Sequence, residues 1–320
     1  MARQWHTHSF RAMNTAVDIW SFCGDDGTRM LDQAERFFRQ VERRMSRFDR
    51  SSELSRLNRA AGGAVQISDE LYDVVELALA AAEATGGLFD PTILTALEGA
   101  GYDRSIDALR TEGDRLHPHG SGEGTIGGGT YRDIRIWNQG PRPTICLPKG
   151  VRLDLGGVAK GWTVDRVVDR LAPHGPCLVN AGGDLYAHGA PPGDVAWTVG
   201  VEDPLDGGRD VAVLALRDRA VATSCRTKRH WVQHGQPQHH LIDARLGRPA
   251  ESDLLSVTVV APRVALAEIH TKAVFILGAE AGFAYLERQP QIAGLLVRQD
   301  GRLLISSRMS RYINDEETIK

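Results

Sequence analysis

DLGGVAKGWTVD, residues 154–165, sets a strand end, a Gly-Gly turn, a lysine and the start of a helix in one short run. Glycine lets the backbone come close to a ligand, because no Cβ stands in the way. A helix N-terminus presents unpaired N–H donors and positive potential, and Lys160 adds a full charge. The run therefore has the chemistry of an anion cradle. It is not a P-loop, because the GxxxxGK[ST] spacing is absent, and it is not GxGxxG. The bland alternative is a tight strand-to-helix turn carrying an exposed lysine.

Reading outward, the same grammar recurs. VNAGGDLYAHG, 179–189, is a second strand–Gly-Gly–acid turn, which on its own reads as a type I′ or II′ hairpin. TGGLFDPTI, 85–93, closes a helix and places Asp90 before a proline, ordinary turn chemistry when taken alone. HHLIDARLGRP, 239–249, sets His240 three residues before Asp243 on a short strand; a histidine there is either structural or a candidate acid or base. AEIHTKAVFILG, 267–278, opens polar and continues as an apolar helix, with Glu268 and Lys272 four apart on one face.

The remaining pattern is mixed. Residues 9–22 alternate as a first strand, and 28–48 repeat apolar residues at helical spacing. The segment 49–63 is polar. Ser68 caps a helix that Gly86 and Gly87 stop. Residues 111–130 are rich in Gly, His and charge and read as a surface loop. YRDIRIW and TICLPKGVRLDLG read as strands, 161–175 as a helix, and most of 176–261 as further strands. Helices and strands mix without strict βαβ alternation. The fold class is therefore α+β, with mixed, mainly antiparallel sheets and packed helices. The whole of 1–320 reads as one elaborate domain.

Composition narrows the function classes. The chain has 320 residues, is 42% hydrophobic and 25% charged, and carries a formal net charge of -3. Such a balance argues against wrapping nucleic acid or lying on an anionic membrane. No apolar stretch approaches the length of a membrane span. The four cysteines form no CxxC pair, which argues against zinc and thioredoxin-type sites and fits a reducing compartment. The N-terminal residues lack the apolar run of a signal peptide. Together these features predict a cytoplasmic protein.

Read in order, FRAMNT, MSRFDRSSELSRLN, TGGLFDPTI, DLGGVAKGWTVD, LVNAGGDLYAHG, VATS, HHLIDARLGRP and AEIHTKAVFILG resemble the ApbE-type FAD:protein FMN transferases over nearly the whole chain. The resemblance implies two intertwined subdomains with FAD in a cleft between them. It implies transfer of the FMN half of FAD to a Ser or Thr hydroxyl of a target protein, with release of AMP. It places Met13 and Phe48 beside the flavin or its neighbourhood, and Leu88, Phe89 and Asp90 in the nucleotide pocket. It gives Asp154 and Lys160 the adenosine or diphosphate groups, Leu241 a contact to FAD, and His240 the role of acid or base. FAD and a flavin-acceptor protein are the implied partners.

The resemblance also implies Mg²⁺, held in relatives by an Asp and a Thr four residues apart in the last long helix and by a backbone carbonyl. Here those positions are Glu268, Lys272 and Gly157, with Thr271 as a further candidate ligand. An ammonium has donors only and cannot ligate a metal. The altered pair leaves two expectations. One is a working transferase in which Lys272 takes over part of the metal's charge. The other is a protein that binds FAD for storage, delivery or sensing, or cleaves it without protein transfer.

Overall fold

The computed structural model of the chain describes residues 2–112 and 129–314. The surface loop expected at 111–130 lies mostly outside the described residues. The chain separates into two compact units. One comprises Met1–Gln40, Lys160–Cys225 and Ser252–Lys320; the other comprises Val41–Ala159 and Arg226–Glu251. The backbone thus leaves the first unit and returns to it twice, so each unit is discontinuous in sequence.

The first unit is built on an eight-stranded sheet. Its strands run Gln4–Ala12, Thr15–Cys23, Cys177–Ala181, Asp184–His188, Arg219–Cys225, Leu254–Ala261, Ala293–Arg298 and Leu303–Ile305, in that spatial order. Every neighbouring pair is antiparallel. LLSVTVVA, 254–261, is buried at every position, as expected for a strand covered on both faces. The helix Val264–Leu277 packs on it and on the Arg219–Cys225 strand, while Ala279–Arg288 packs on the Ala293–Arg298 strand. A hairpin of Trp197–Glu202 and Asp210–Leu216 adds Trp197, Leu214 and Leu216 to a core shared with Leu178, Val260 and Leu295.

The run expected as one strand over 9–22 is instead part of a hairpin turning at Met13–Asn14, with φ of 52° and 59°. The apolar–polar alternation breaks at Ala12–Met13 and Asn14–Thr15, and asparagine tolerates left-handed backbone, but a single such residue between strand formers is a weak turn signal. Left-handed backbone at a non-glycine residue costs about 1–2 kcal/mol. By contrast, AGGD is the two-residue hairpin its glycines predict, with φ of 65° and 92°. The two turns abut: a Cβ at Gly182 would lie 2.0 Å from the Thr15 hydroxyl oxygen.

The second unit holds the helices Glu53–Arg59, Asp69–Ala84, Leu94–Gly99 and Ile106–Glu112. It also holds a small antiparallel sheet in which Thr144–Cys146 lies between Ala64–Gln66 and Arg135–Trp137. Ser68 caps its helix as expected, accepting from the Leu71 N–H. The polar segment at 49–63 is in part a helix: the Ser52 side chain accepts from the Ser55 N–H, and Leu54 and Leu57 are fully buried. Two apolar residues are too few to show a period. Only Thr144–Cys146 of the expected TICLPKGVRLDLG strand pairs in a ladder. Pro148 lacks an N–H to donate, and Gly150 turns the chain at φ 86°. Among the described residues, no helix is long and apolar enough to cross a membrane.

The helices Ala159–Leu171 and Val264–Leu277 come together at Gly161. A Cβ there would sit 2.7 Å from the Ala265 backbone nitrogen and 2.8 Å from a Glu268 carboxylate oxygen. Alanine in place of glycine gains at most about 1 kcal/mol of helix propensity. Overpacking against backbone costs about 1–3 kcal/mol. Gly161→Ala is therefore expected to destabilise the protein in urea melts; a variant as stable as the parent would show that the helices separate freely.

Candidate functional site

In the first unit, charged and hydroxyl side chains gather at the sheet end that carries the Met13–Asn14 and Gly182–Gly183 turns. Lys160, in the first turn of its helix, is 7% exposed. Its ammonium pairs with Asp184, the residue after the Gly-Gly turn, and lies 3.2 Å from Glu268 Oε1. Lys272, one helical turn beyond Glu268, reaches back to 3.7 Å from the same Oε1 and donates to the Glu268 carbonyl at 3.1 Å. The other oxygen, Oε2, accepts the Gly161 N–H at 2.9 Å. Asp184 Oδ1 accepts the Thr223 N–H at 3.0 Å. The Thr271 hydroxyl donates to the Glu268 carbonyl at 2.8 Å, so the hydrogen between Ser224 and Thr271 comes from Ser224.

Burial alone would raise the pKa of Glu268. The ammoniums of Lys160 and Lys272, with the Gly161 N–H, overcome that and hold the carboxyl well below its usual range. Asp184 goes the other way. Burial is the largest cause and the Glu268 charge adds to it, against Lys160. The two acids share one ammonium and titrate as a set. Glu268 has the second ammonium and the helix N–H, so it stays charged and Asp184 takes the first proton.

These donors do not fit a magnesium ion. Both Glu268 oxygens are engaged, one by two ammoniums, and the Thr271 hydroxyl is tied to backbone and to Ser224. Two unit charges 4 Å apart interact by about 4 kcal/mol at an effective dielectric near 20. A divalent ion at that range would meet roughly twice that repulsion from each ammonium. Gly157 lies in the turn that follows Asp154. Among the described residues, no three His, Cys, Asp or Glu side chains converge as metal ligands.

In the second unit, Asp154 is held from three directions. Its Oδ2 takes Arg47 Nε at 2.9 Å, its Oδ1 takes the Gly156 N–H at 3.0 Å, and its own N–H donates to the Pro91 carbonyl at 2.8 Å. The last bond ties the LFDP turn to the DLGG turn. Asn58, from the SELSRLN run, pins the preceding Leu153 through both of its backbone groups, at 2.8 and 2.7 Å. Asp90 accepts from the Thr92 N–H and hydroxyl; burial is the larger influence and raises its pKa. Phe89 is buried and Leu88 half-buried. The Arg47 guanidinium lies 4.2 Å from the Phe48 ring centre and 4.4 Å from that of Tyr102, a cation–π stack. Tyr102 stacks in turn on Trp231, centroids 5.0 Å apart.

Trp231 belongs to the hairpin His230–Gln233/Gln236–His239, which leads into the two adjacent histidines. His239 is buried. Its Nε2 faces the Ala250 carbonyl at 3.2 Å, and its Nδ1 accepts the Leu241 N–H at 3.3 Å. That pattern fixes one neutral tautomer. Burial, aided by the Arg226 charge, lowers its pKa to about 4. His240 is half-buried, with Nδ1 3.3 Å from the Arg229 carbonyl. A proton on Nδ1 makes Nε2 the accepting nitrogen. Leu241 is buried and its carbonyl accepts from Ala250.

Within the first unit, then, Lys160, Glu268, Thr271 and Lys272 share one cluster, at the sheet end that bears Met13. Within the second, Phe48 and Asp154 meet through Arg47, Asp90 adjoins the same turn, and His240 and Leu241 follow the hairpin. Sequence reasoning missed Arg47, although it directly precedes Phe48. It also missed Asp184 as the partner of Lys160, a pairing that spans 24 residues and leaves no local signal.

A model of the ApbE family matches residues 13–296. The FAD:protein FMN transferase of Treponema pallidum is 33% identical over 299 residues, covering 87% of this chain and 79% of that protein. That of Vibrio cholerae is 28% identical, covering 86% and 81%. The crystal structure of the ApbE protein of Thermotoga maritima superposes with a TM-score of 0.87 at 25% identity, covering 98% of this chain and all of that one.

The buried His239 ring has a measurable consequence for stability. His239 has a folded pKa depressed from 6.5 to about 4. Its contribution to stability is present above pH 6.5 and is lost as the pH falls towards 4, because the unfolded chain takes up the proton first. The limiting slope is about 1.4 kcal/mol per pH unit. Asp165, which burial pushes up to about 6, acts in the opposite sense over the same range. The difference between parent and His239→Gln isolates the histidine. Urea midpoints of the variant should fall less steeply from pH 6.5 to 4; parallel curves would mean that His239 protonates freely in the fold.

Proposed function

The chain belongs to the ApbE family, and we infer that it is an FAD:protein FMN transferase. The observation that carries this reading is the family match from Met13 to Leu296, together with curated transferases covered over most of their length. The non-catalytic FAD-binding alternative has no such support.

The reaction asks little covalent chemistry of the protein. The hydroxyl oxygen of an acceptor Ser or Thr attacks the phosphorus on the FMN side of the diphosphate. The bond from that phosphorus to the bridging oxygen breaks, and AMP leaves with the electron pair. The attacking hydroxyl gives up its proton to a base. Catalysis is then mainly positioning and charge neutralisation. We assign Lys160 and Lys272 to charge neutralisation. A flavin or adenine ring suits the half-buried Phe48, which packs against Arg47 and Tyr102. Asp154 can accept from adenosine hydroxyl or amino groups, a role its fixed orientation supports; as a carboxylate it cannot bind phosphate directly. Met13, in strained backbone at the sheet end, fits a ligand contact, since strain of this kind clusters at functional sites. Leu88, Phe89, Asp90 and Leu241 complete the proposed pocket.

His240 is the proposed base. Its half-buried ring, with Nδ1 held by the Arg229 carbonyl, supports an accepting Nε2. The adjacent His239 is engaged at both nitrogens and suits a structural role. His240→Ala should keep FAD affinity in a flavin-fluorescence titration and slow AMP release by about 10²–10⁴, the range for a general acid–base. An equal loss of thermal stability and activity would make the histidine structural. Absence of flavin binding by the parent at concentrations on the order of tens of micromolar would overturn the functional reading itself.

A further inference from the structure

The charges of the Lys160 cluster balance without a metal. Asp184 and Glu268 bring two negative charges, and Lys160 and Lys272 bring two positive ones. A neutral hydroxyl in place of Lys272 would leave the set with a net negative charge, which repels a diphosphate and calls for a cation. The ammonium is built in instead. It is no solvated surface charge: the Lys272 side chain is 18% exposed and that of Glu268 is 4% exposed. It is also fixed in place, by the Glu268 carbonyl at 3.1 Å and the carboxylate beyond it.

We propose that Lys272 supplies the counter-charge that the family resemblance would give to Mg²⁺ beside a hydroxyl at this position, so that this chain binds FAD without metal. The inference rests on the FAD reading above. Glu268 then serves as the anchor of two ammoniums and of the Gly161 N–H, and no longer as a metal ligand. The exchange has a chemical consequence. An ammonium is a point charge and cannot arrange phosphate oxygens around a coordination shell. Orientation of the diphosphate must then come from other donors, and the affinity for FAD must be indifferent to Mg²⁺.

The test is FAD titration, followed by flavin fluorescence, in EDTA and in excess Mg²⁺, on the full chain and on Lys272→Thr, Lys272→Met and Lys272→Arg. The parent should bind equally in both media, within about twofold. In EDTA, Lys272→Thr and Lys272→Met should bind at least about tenfold more weakly, and Lys272→Arg should stay near the parent. Recovery of Lys272→Thr in Mg²⁺ would show ammonium and cation to be interchangeable. Weakening without recovery would still assign the charge to Lys272, with Glu268 unable to hold the metal. A parent whose affinity rises about tenfold with Mg²⁺ overturns the proposal, and this arm decides alone if a variant fails to fold. So do folded Thr and Met variants that match the parent in EDTA. Failure of the parent to bind FAD in either medium fails the flavin reading instead.

Discussion

The Glu268 carboxylate is the contact on which the charged cluster of the first unit depends. It accepts the Gly161 N–H, one of the unpaired donors at the start of the Ala159–Leu171 helix. The favour is returned within the same pair of helices. Asp165, one turn further along the first helix, accepts the Val264 and Ala265 N–H groups at the start of Val264–Leu277. Each helix therefore caps the other with a carboxylate. Caps of this kind are worth about 1 kcal/mol each, yet burial pushes Asp165 up to about 6 against them. The reciprocal caps do more for geometry than for net stability. They hold two helix starts so close that only glycine fits at 161, and Lys160 is carried by that helix start.

The buried charges follow from this arrangement. Once Glu268 is committed to a helix N-terminus in the interior, it must be neutralised, because an isolated buried carboxylate is prohibitively unfavourable. Lys160 and Lys272 meet that need, and Asp184, paired with Lys160, balances the remaining positive charge. The same logic runs through the second unit with different residues. Asp154 is fixed by Arg47, Arg47 is clamped over Phe48 and near Tyr102, and Tyr102 stacks on the Trp231 that anchors the hairpin before His240. In both units a charged group at a Gly-Gly turn is oriented by a partner distant in sequence. Preorganisation of that sort suits a reaction in which the protein positions groups and compensates charge.

Much of this was legible in the chain itself. Ser68 and Gly86–Gly87 bound a helix, AGGD marks a two-residue hairpin, and LLSVTVVA marks a covered strand, because each rests on local backbone chemistry. The order of the Gly-Gly, LFDP and HLID runs was enough to place the chain in its family. The Glu268–Lys272 pair was visible too, since helical periodicity alone sets those side chains on one face.

What the sequence by itself determined is therefore everything that depends on a few neighbouring residues: turns, caps, helix faces, and the types of side chain available for the chemistry. The tertiary structure alone decided which charges meet. It converted Lys160 from an exposed candidate into a buried ammonium between two acids, because Asp184 and Glu268 reach it from a hairpin and a helix far along the chain. It fixed the His239 ring, since packing against Ala250 and Leu241 engages it at both nitrogens. It also revealed the turn at Met13–Asn14, where one asparagine is only a weak local signal. For the first two the physical reason is the same: burial and charge pairing are set by contacts between distant segments, and no local pattern of residues encodes which segments will touch.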